Sequence, residues 1–236
     1  MKKIGYSILL ALIMIFTVFT PVHADNTNLI QNEISIINEI KEFDPLFTYE
    51  GELISASKIS GYLTDDGRFI MPQGSIGNQN MSIYITVSRI QESGKDSFGI
   101  TATARWLNVP TIRATDAFAI GWGGDFALMS SYATASYKSL GIVDGKTSMI
   151  SAAPNTGVGY SVSCSYYYGQ ALDWVRIYAK ISQVDRSGIA NVVASYCHTT
   201  LSIGVNSVSY AKDATSITFQ VSGVSDTLSN ITNFSY

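Results

Sequence analysis

Histidine and cysteine are nearly absent from this chain, with two of each in 236 residues. His23 lies within the first two dozen residues, which leaves His198 as the one imidazole for any site in the rest of the chain. A zinc site draws three or four histidine, cysteine or carboxylate ligands at close spacing, and His198 with the separated Cys164 and Cys197 does not supply them. No metal or other cofactor is expected. Nucleophilic catalysis finds equally little. No Gly-x-Ser-x-Gly elbow occurs, and its nearest approach, Gly223-Val224-Ser225, lacks the closing glycine. Cys197 adjoins His198, but neighbours on a strand point to opposite faces, so they cannot act as thiol and base. His198 reads instead as a polar-face residue beside Tyr196 and Thr200.

Charge is also sparse, at 14% of the chain, and its 18 acidic residues outnumber its 15 lysines and arginines. Lys2 and Lys3 belong to the leader, so no basic field for nucleic acid exists. Asp116, Asp125, Asp144 and Asp173 are available for paired-acid glycoside chemistry, but they are scattered as surface acids commonly are. The Asp65-Asp66-Gly67 turn is acidic, yet a single turn lacks the spaced oxygen ligands of a calcium site and reads as a hairpin turn.

Long apolar runs are missing beyond the first 24 residues. Within them, Lys2 and Lys3 precede an apolar run from Ile8 to Phe19, and Val22-His23-Ala24 forms a small-residue cleavage site. The run is about 12 residues, short of the ~20 that span a bilayer. Residues 1–24 therefore read as a signal peptide, and Asp25 rather than cysteine follows it, which predicts a secreted product released into the medium.

What is present is alternation. Val158, Tyr160, Val162, Cys164, Tyr166 and Tyr168 take the even positions of one run, with Ser161, Ser163 and Ser165 between them. Val175, Ile177, Ala179 and Ile181 alternate with Trp174, Arg176, Tyr178 and Lys180 in a second, and Ile189 to Ile203 forms a third. Together, Gly157 to Gly204 predict a three-stranded antiparallel meander. Ser82 to Leu107 predicts a long hairpin. Phe118, Ile120 and Trp122 share a strand face with Asp116, while Ala117, Ala119 and Gly121 line the other, small enough for a helix or facing strand to approach closely. Asn206–Tyr210 and Thr215–Val221 predict a last hairpin, and the tail from Ser222 is polar and read as loosely held, with Phe234 and Tyr236 able to dock.

One helical stripe stands against this pattern. Leu29, Ile30, Ile34, Ile36, Ile37, Ile40 and Phe43 recur at three- and four-residue steps, and Pro45 closes the run. The fold class is all-β: an antiparallel β-sandwich or flattened barrel of roughly 10–12 strands with one N-terminal amphipathic helix. Residues 25–45 form the helix, packed on the sheet, and 46–236 a single sandwich domain.

Cys164 and Cys197 meet oxidising conditions outside the cell, so a disulfide is one expectation. On the first and third strands of a meander they sit too far apart for one, and two buried free thiols are the other. The aromatic residues around Gly169 offer the better functional signal. Strand parity turns Trp174 and Tyr178 away from the core that holds Val175 and Ile177, and Tyr167 away from Cys164. Tyr167, Trp174 and Tyr178 are accordingly the candidate ligand-binding residues, with no catalytic residue assigned. The function expected is a secreted, non-catalytic β-sandwich protein that binds an extracellular or cell-envelope glycan or protein. A pore-forming or membrane-active protein, in which the Ser82–Leu107 hairpin refolds, is the alternative. A glycan-active hydrolase is the second.

Overall fold

A computed structural model describes residues 26–63, 69–70, 81–92, 95–108, 115–184, 187–199, 205–222 and 225–236. The leader at 1–24, the Asp65-Asp66-Gly67 turn and the pair Gly223-Val224 lie outside these residues. In chain order the elements are α1 (Asn26–Phe43), β1 (Glu52–Leu63), β2 (Phe69–Ile70), β3 (Met81–Glu92), β4 (Lys95–Trp106), β5 (Thr115–Trp122), β6 (Phe126–Tyr137) and β7 (Gly141–Val143). There follow β8 (Thr147–Ala153), β9 (Gly157–Ser163), β10 (Leu172–Gln183), β11 (Ile189–Thr199), β12 (Val205–Tyr210), β13 (Ile217–Val221) and β14 (Ser225–Ser235).

These strands build an antiparallel sandwich. A seven-stranded sheet runs β2-β1-β3-β4-β10-β6-β7, a five-stranded sheet runs β14-β11-β5-β9-β8, and β12 and β13 form a separate ribbon. The expected long hairpin is the heart of the larger sheet, with β3 and β4 in unbroken register from Met81↔Trp106 to Glu92↔Lys95. Alternation put Ile83, Ile85, Val87, Ile100, Ala102 and Ala104 on one face of it, and all are fully buried between the sheets. They meet Phe118, Ile120 and Trp122 of β5 and Val175, Ile177 and Ile181 of β10 in one core.

The expected meander does not form. β9 and β11 lie in the smaller sheet with β5 between them, while β10 crosses to the larger sheet and pairs with β4 and β6. Period-two alternation identifies a strand with one buried face, and it is silent about which strand lies alongside. The first run also stops early: β9 ends at Ser163, and Tyr167 and Gln170 pair only as an isolated bridge.

The small-residue face of β5 is covered by the β12–β13 ribbon rather than by α1. Ala119 and Val193 pack against Val208, Ala214 and Ile217. Glycine is required at this contact, because a Cβ on Gly157 would lie 2.4 Å from the Tyr210 ring. Instead, α1 docks Ile36, Ile37 and Ile40 on the outer face of the larger sheet, against Phe47, Tyr84, Leu53 and Ala56. Each buried isoleucine contributes about 2 kcal/mol there. Glu39 secures the helix by accepting from Tyr84 Oη at 2.9 Å and pairing with Lys58.

The tail is not loose. β14 pairs with β11 along its whole length, from Ile189↔Ser235 to Thr199↔Ser225. Its inward positions include Asn230 and Thr232, whose polarity hides the strand from a hydrophobic reading. Both are used to stitch the sandwich shut: Asn230 Nδ2 donates to Ser57 Oγ and to the Ile83 carbonyl, and Thr232 Oγ1 bonds Ser55 Oγ at 2.8 Å. On the opposite side Thr147 Oγ1 donates to the Ala133 carbonyl and Leu128 N to the Pro154 carbonyl.

Candidate functional site

The three residues singled out around the Gly169 turn have separate fates. Trp174 is not a surface residue, being only 2% exposed beneath the Arg176 guanidinium, which lies 5.0 Å from its ring centroid. It does face away from the central core, but that outer face is roofed at this point, so parity alone misjudged its exposure. Tyr167 is half-buried, clamped between the Tyr137 ring at 5.8 Å and Lys146 Nζ at 3.9 Å. Its neighbours Tyr166 and Tyr168 are the exposed ones, because the strand ends at Ser163 and its parity does not run on into the turn. Of the three, Tyr178 lines the groove described next.

That groove lies on the outer face of the larger sheet. Register brings Thr86, Thr101, Tyr178 and Tyr132 into one row across β3, β4, β10 and β6. Tyr132 leans on Tyr178 with centroids 5.2 Å apart and rings inclined by 31°, and Tyr132 is 53% exposed. The facing wall is the segment after α1, with Leu46, Thr48, Tyr49 and Glu50. Asp44 sets its course: its amide closes the last helical turn on the Ile40 carbonyl, its carbonyl accepts from Phe47 N, and its carboxylate pairs with Arg176. Burial pushes the Asp44 carboxyl up, while Arg176 and the Leu46 amide draw it back. The enclosed space is about 320 Å³, at the small end of ligand sites. It offers ring faces, the Glu50 carboxylate as acceptor and the Arg176 guanidinium as donor. A larger hollow of about 460 Å³ lies at Gly124, Asp125, Asn155, Thr156, Val184 and Lys212, with the buried Phe126 as the one ring among its described lining residues.

A second constellation sits inside the sandwich, and the sequence reading missed it. Asp116 near the start of β5 is fully buried, and its carboxylate accepts from Tyr196 Oη at 2.8 Å, Thr199 N at 2.9 Å, His198 Nδ1 at 2.9 Å and Cys164 Sγ at 3.0 Å. Trp106 Nε1 donates to Tyr196 Oη at 3.2 Å, and the Trp106 indole meets the His198 ring edge-on. His198 is thus a core residue and not a polar-face one. Its Nε2 is buried without a hydrogen-bond partner among the described residues. The signal was present as parity, since Asp116 shares a face with Phe118 and His198 with Tyr196, but nothing in the spacing says that β5 and β11 are neighbours.

The cluster has the members of a catalytic set without its wiring. Cys164 donates to the carboxylate and not to the imidazole, and burial, reinforced by the Asp116 charge, pushes the thiol well up. The Tyr196 phenol is pushed up by the same two causes. A thiol held protonated is no nucleophile. Nor do the cysteines form a disulfide with each other: both are buried thiols. Cys164 points into the intersheet space, whereas Cys197, adjacent to the inward Tyr196, turns to the other face of its sheet, and β5 separates their strands. Among the described residues no group of three or more such side chains is arranged so that it could hold a metal ion. Of the remaining carboxylates, Asp125 and Asp144 are exposed and Asp173 is half-buried.

No protein-family model matches the chain, and no curated protein matches it either. Among solved structures, one described as a pore forming protein aligns with 74% of this chain and 96% of its own at 8% identity, with a TM-score of 0.38. Another, AvmM, described as catalysing macrocyclization in alchivemycin A biosynthesis, aligns with 75% of this chain and 95% of its own at 10% identity, with a TM-score of 0.31. Likenesses this distant carry neither fold nor activity across to this chain.

Proposed function

We propose that this is a secreted, non-catalytic β-sandwich protein that binds an extracellular or cell-envelope ligand in the groove beside Tyr178, and that the ligand is a glycan. The observation that carries this reading is the ring pair of exposed Tyr132 and half-buried Tyr178, with Arg176 beside it and Glu50 in the facing wall, around a space of sugar-like dimensions. Sugar rings present apolar C–H faces to aromatic planes and hydroxyls to carboxylate and guanidinium partners. The buried Cys164, His198 and Asp116 bond to one another within the fold and not to the groove.

Retention on purified insoluble cell-wall material tests the proposal. Wild type is expected to be retained, and Tyr132→Ala to be released with its melting temperature nearly unchanged. Retention that survives Tyr132→Ala and Tyr49→Ala together, or that persists after periodate destroys the glycans, would overturn it. The alternative, release of the Ser82–Leu107 hairpin into a membrane, requires β3 and β4 to leave the centre of the larger sheet and uncover Met81, Ile83, Phe98 and Ile100, all fully buried. Dye leakage from vesicles distinguishes it.

A further inference from the structure

The segment that walls the groove hangs on Asp44. Asp44-Pro45-Leu46-Phe47 is a turn by its own chemistry: aspartate opens it, proline takes the second position with its φ already fixed, and Phe47 N donates to the Asp44 carbonyl at 2.9 Å. The Asp44 carboxylate accepts from the Leu46 amide within the turn and reaches out of it to Arg176 on β10. That pair is nearly dry, with the Asp44 side chain 3% exposed and that of Arg176 13%. The guanidinium lies 5.8 Å from the Phe47 ring centroid and 5.0 Å from that of Trp174. At the far end of the wall Gly51, with φ of 80°, is pressed onto the Arg89 carbonyl, which a Cβ there would meet at 2.0 Å. Between these two anchors no hydrogen bond among the described residues ties Thr48, Tyr49 or Glu50 to the sheet.

We propose, resting on the glycan reading of the groove, that Asp44 is its positioning residue: the ionised carboxylate holds the wall at 46–50 and Arg176 in place for the ligand, and acid releases all three by neutralising it. A largely buried guanidinium is costly to keep in place once its counter-charge is gone, so Arg176 turns towards water and gives up its contact with Phe47, the buried ring of the wall. Burial raises the Asp44 carboxyl above the usual carboxylate value, and Arg176 and the Leu46 amide draw it only part of the way back. The clamp is therefore intact at neutral pH and is lost as pH falls through that raised value. Other charges face the pair from the elements around it. Arg105 of β4 stacks on Phe43 at 4.3 Å and attracts Asp173 of β10, while Glu39, Lys58 and Tyr84 bond to one another beyond the Phe43 ring. Lys41 and Glu42 belong to the last turn of α1, and Glu50 stands in the wall itself. Arg105 keeps its charge throughout, whereas Glu50 and Asp173 titrate as well, and the test has to separate them from Asp44.

Two readouts on the secreted chain, each followed from neutral pH down to about pH 4, do so. Asp44→Asn removes the charge and keeps the turn, since asparagine opens such turns readily and its carboxamide still accepts from the Leu46 amide. Hydrogen exchange of the amides at 46–50, measured without ligand and corrected for the intrinsic rate, should show wild-type protection falling about tenfold on acidification, with the variant already low and flat. Retention on cell-wall material should fall severalfold over the same range in wild type and be weak and flat in Asp44→Asn. Arg176→Gln, which takes away the partner instead, should reproduce the flat exchange profile. A slope that survives in Asp44→Asn would assign the titration to Glu50 or Asp173 and overturn the proposal, as would wild-type protection that does not change with pH. Wild type that is not retained at any pH would refute the glycan reading, and the exchange data, which need no ligand, would still decide the role of Asp44.

Discussion

Two groups of side chains, one drawn from each sheet, occupy opposite kinds of face. One comes from β5, β11 and the residue just past β9, and gathers Asp116, Tyr196, His198 and Cys164 between the sheets. The other runs over β4, β10 and β6 and gathers Thr101, Tyr178 and Tyr132 on the outside. Both combine hydroxyls, aromatic rings and, close by, a buried carboxylate. Inside, Asp116 takes four hydrogen bonds and the row is spent on itself. Outside, Asp44 engages Arg176 beneath the groove and leaves ring faces and Glu50 open to a partner. Composition is therefore a poor guide to role on a sandwich, and the face turned to the second sheet decides whether a polar row serves folding or recognition.

The contrast is broken most severely by Asp116→Ala. It strips partners from Tyr196, His198, Cys164 and the Thr199 amide at once, so a loss of about 4 kcal/mol is expected, or a melting point lower by roughly 10 °C or more for a chain of this size. Scanning calorimetry checks it, and a near-normal melting point would show that the inner row is dispensable. Tyr196→Phe should do less, about 1–2 kcal/mol, since it removes one donor to Asp116 and the acceptor of Trp106 Nε1. Denaturant titration measures that difference.

On the outer row the balance reverses. Tyr132→Ala should weaken binding to cell-wall material about tenfold to thirtyfold, while the melting temperature moves by only about 2 °C. A large stability loss there, with binding intact, would assign the outer row to the fold as well. The smallest effect concerns the cysteines. Native protein should react negligibly with a thiol-specific chromogenic reagent, and both Cys164 and Cys197 should react after denaturation without reductant. Failure of either thiol to appear on unfolding would indicate a disulfide.

Much of the architecture was legible because alternation is local. The β3–β4 hairpin, the β12–β13 ribbon and the α1 stripe each announce themselves through period two or period 3.6 within a single segment. β14 was illegible for an equally local reason, since Asn230 and Thr232 occupy its inward positions and break the hydrophobic pattern that marks a strand. Of the candidate site, Tyr178 was found by parity, whereas Tyr132, Tyr49 and Glu50 come from segments that no periodic signal connects to it.

By itself the sequence determined that this chain makes strands with one apolar face, carries one amphipathic helix, and lacks the spaced residues of a recognised catalytic motif. These properties depend on residues a few positions apart, and the backbone's periods convert spacing directly into facing. Tertiary structure alone decided that β10 leaves its sequence neighbours for the other sheet, that Asp116 meets His198 and Cys164, and that the outer face over Trp174 is roofed while that over Tyr132 is open. Those outcomes rest on which strands lie side by side. Strand order is settled by burial of the whole core, a sum over distant segments that no local pattern records.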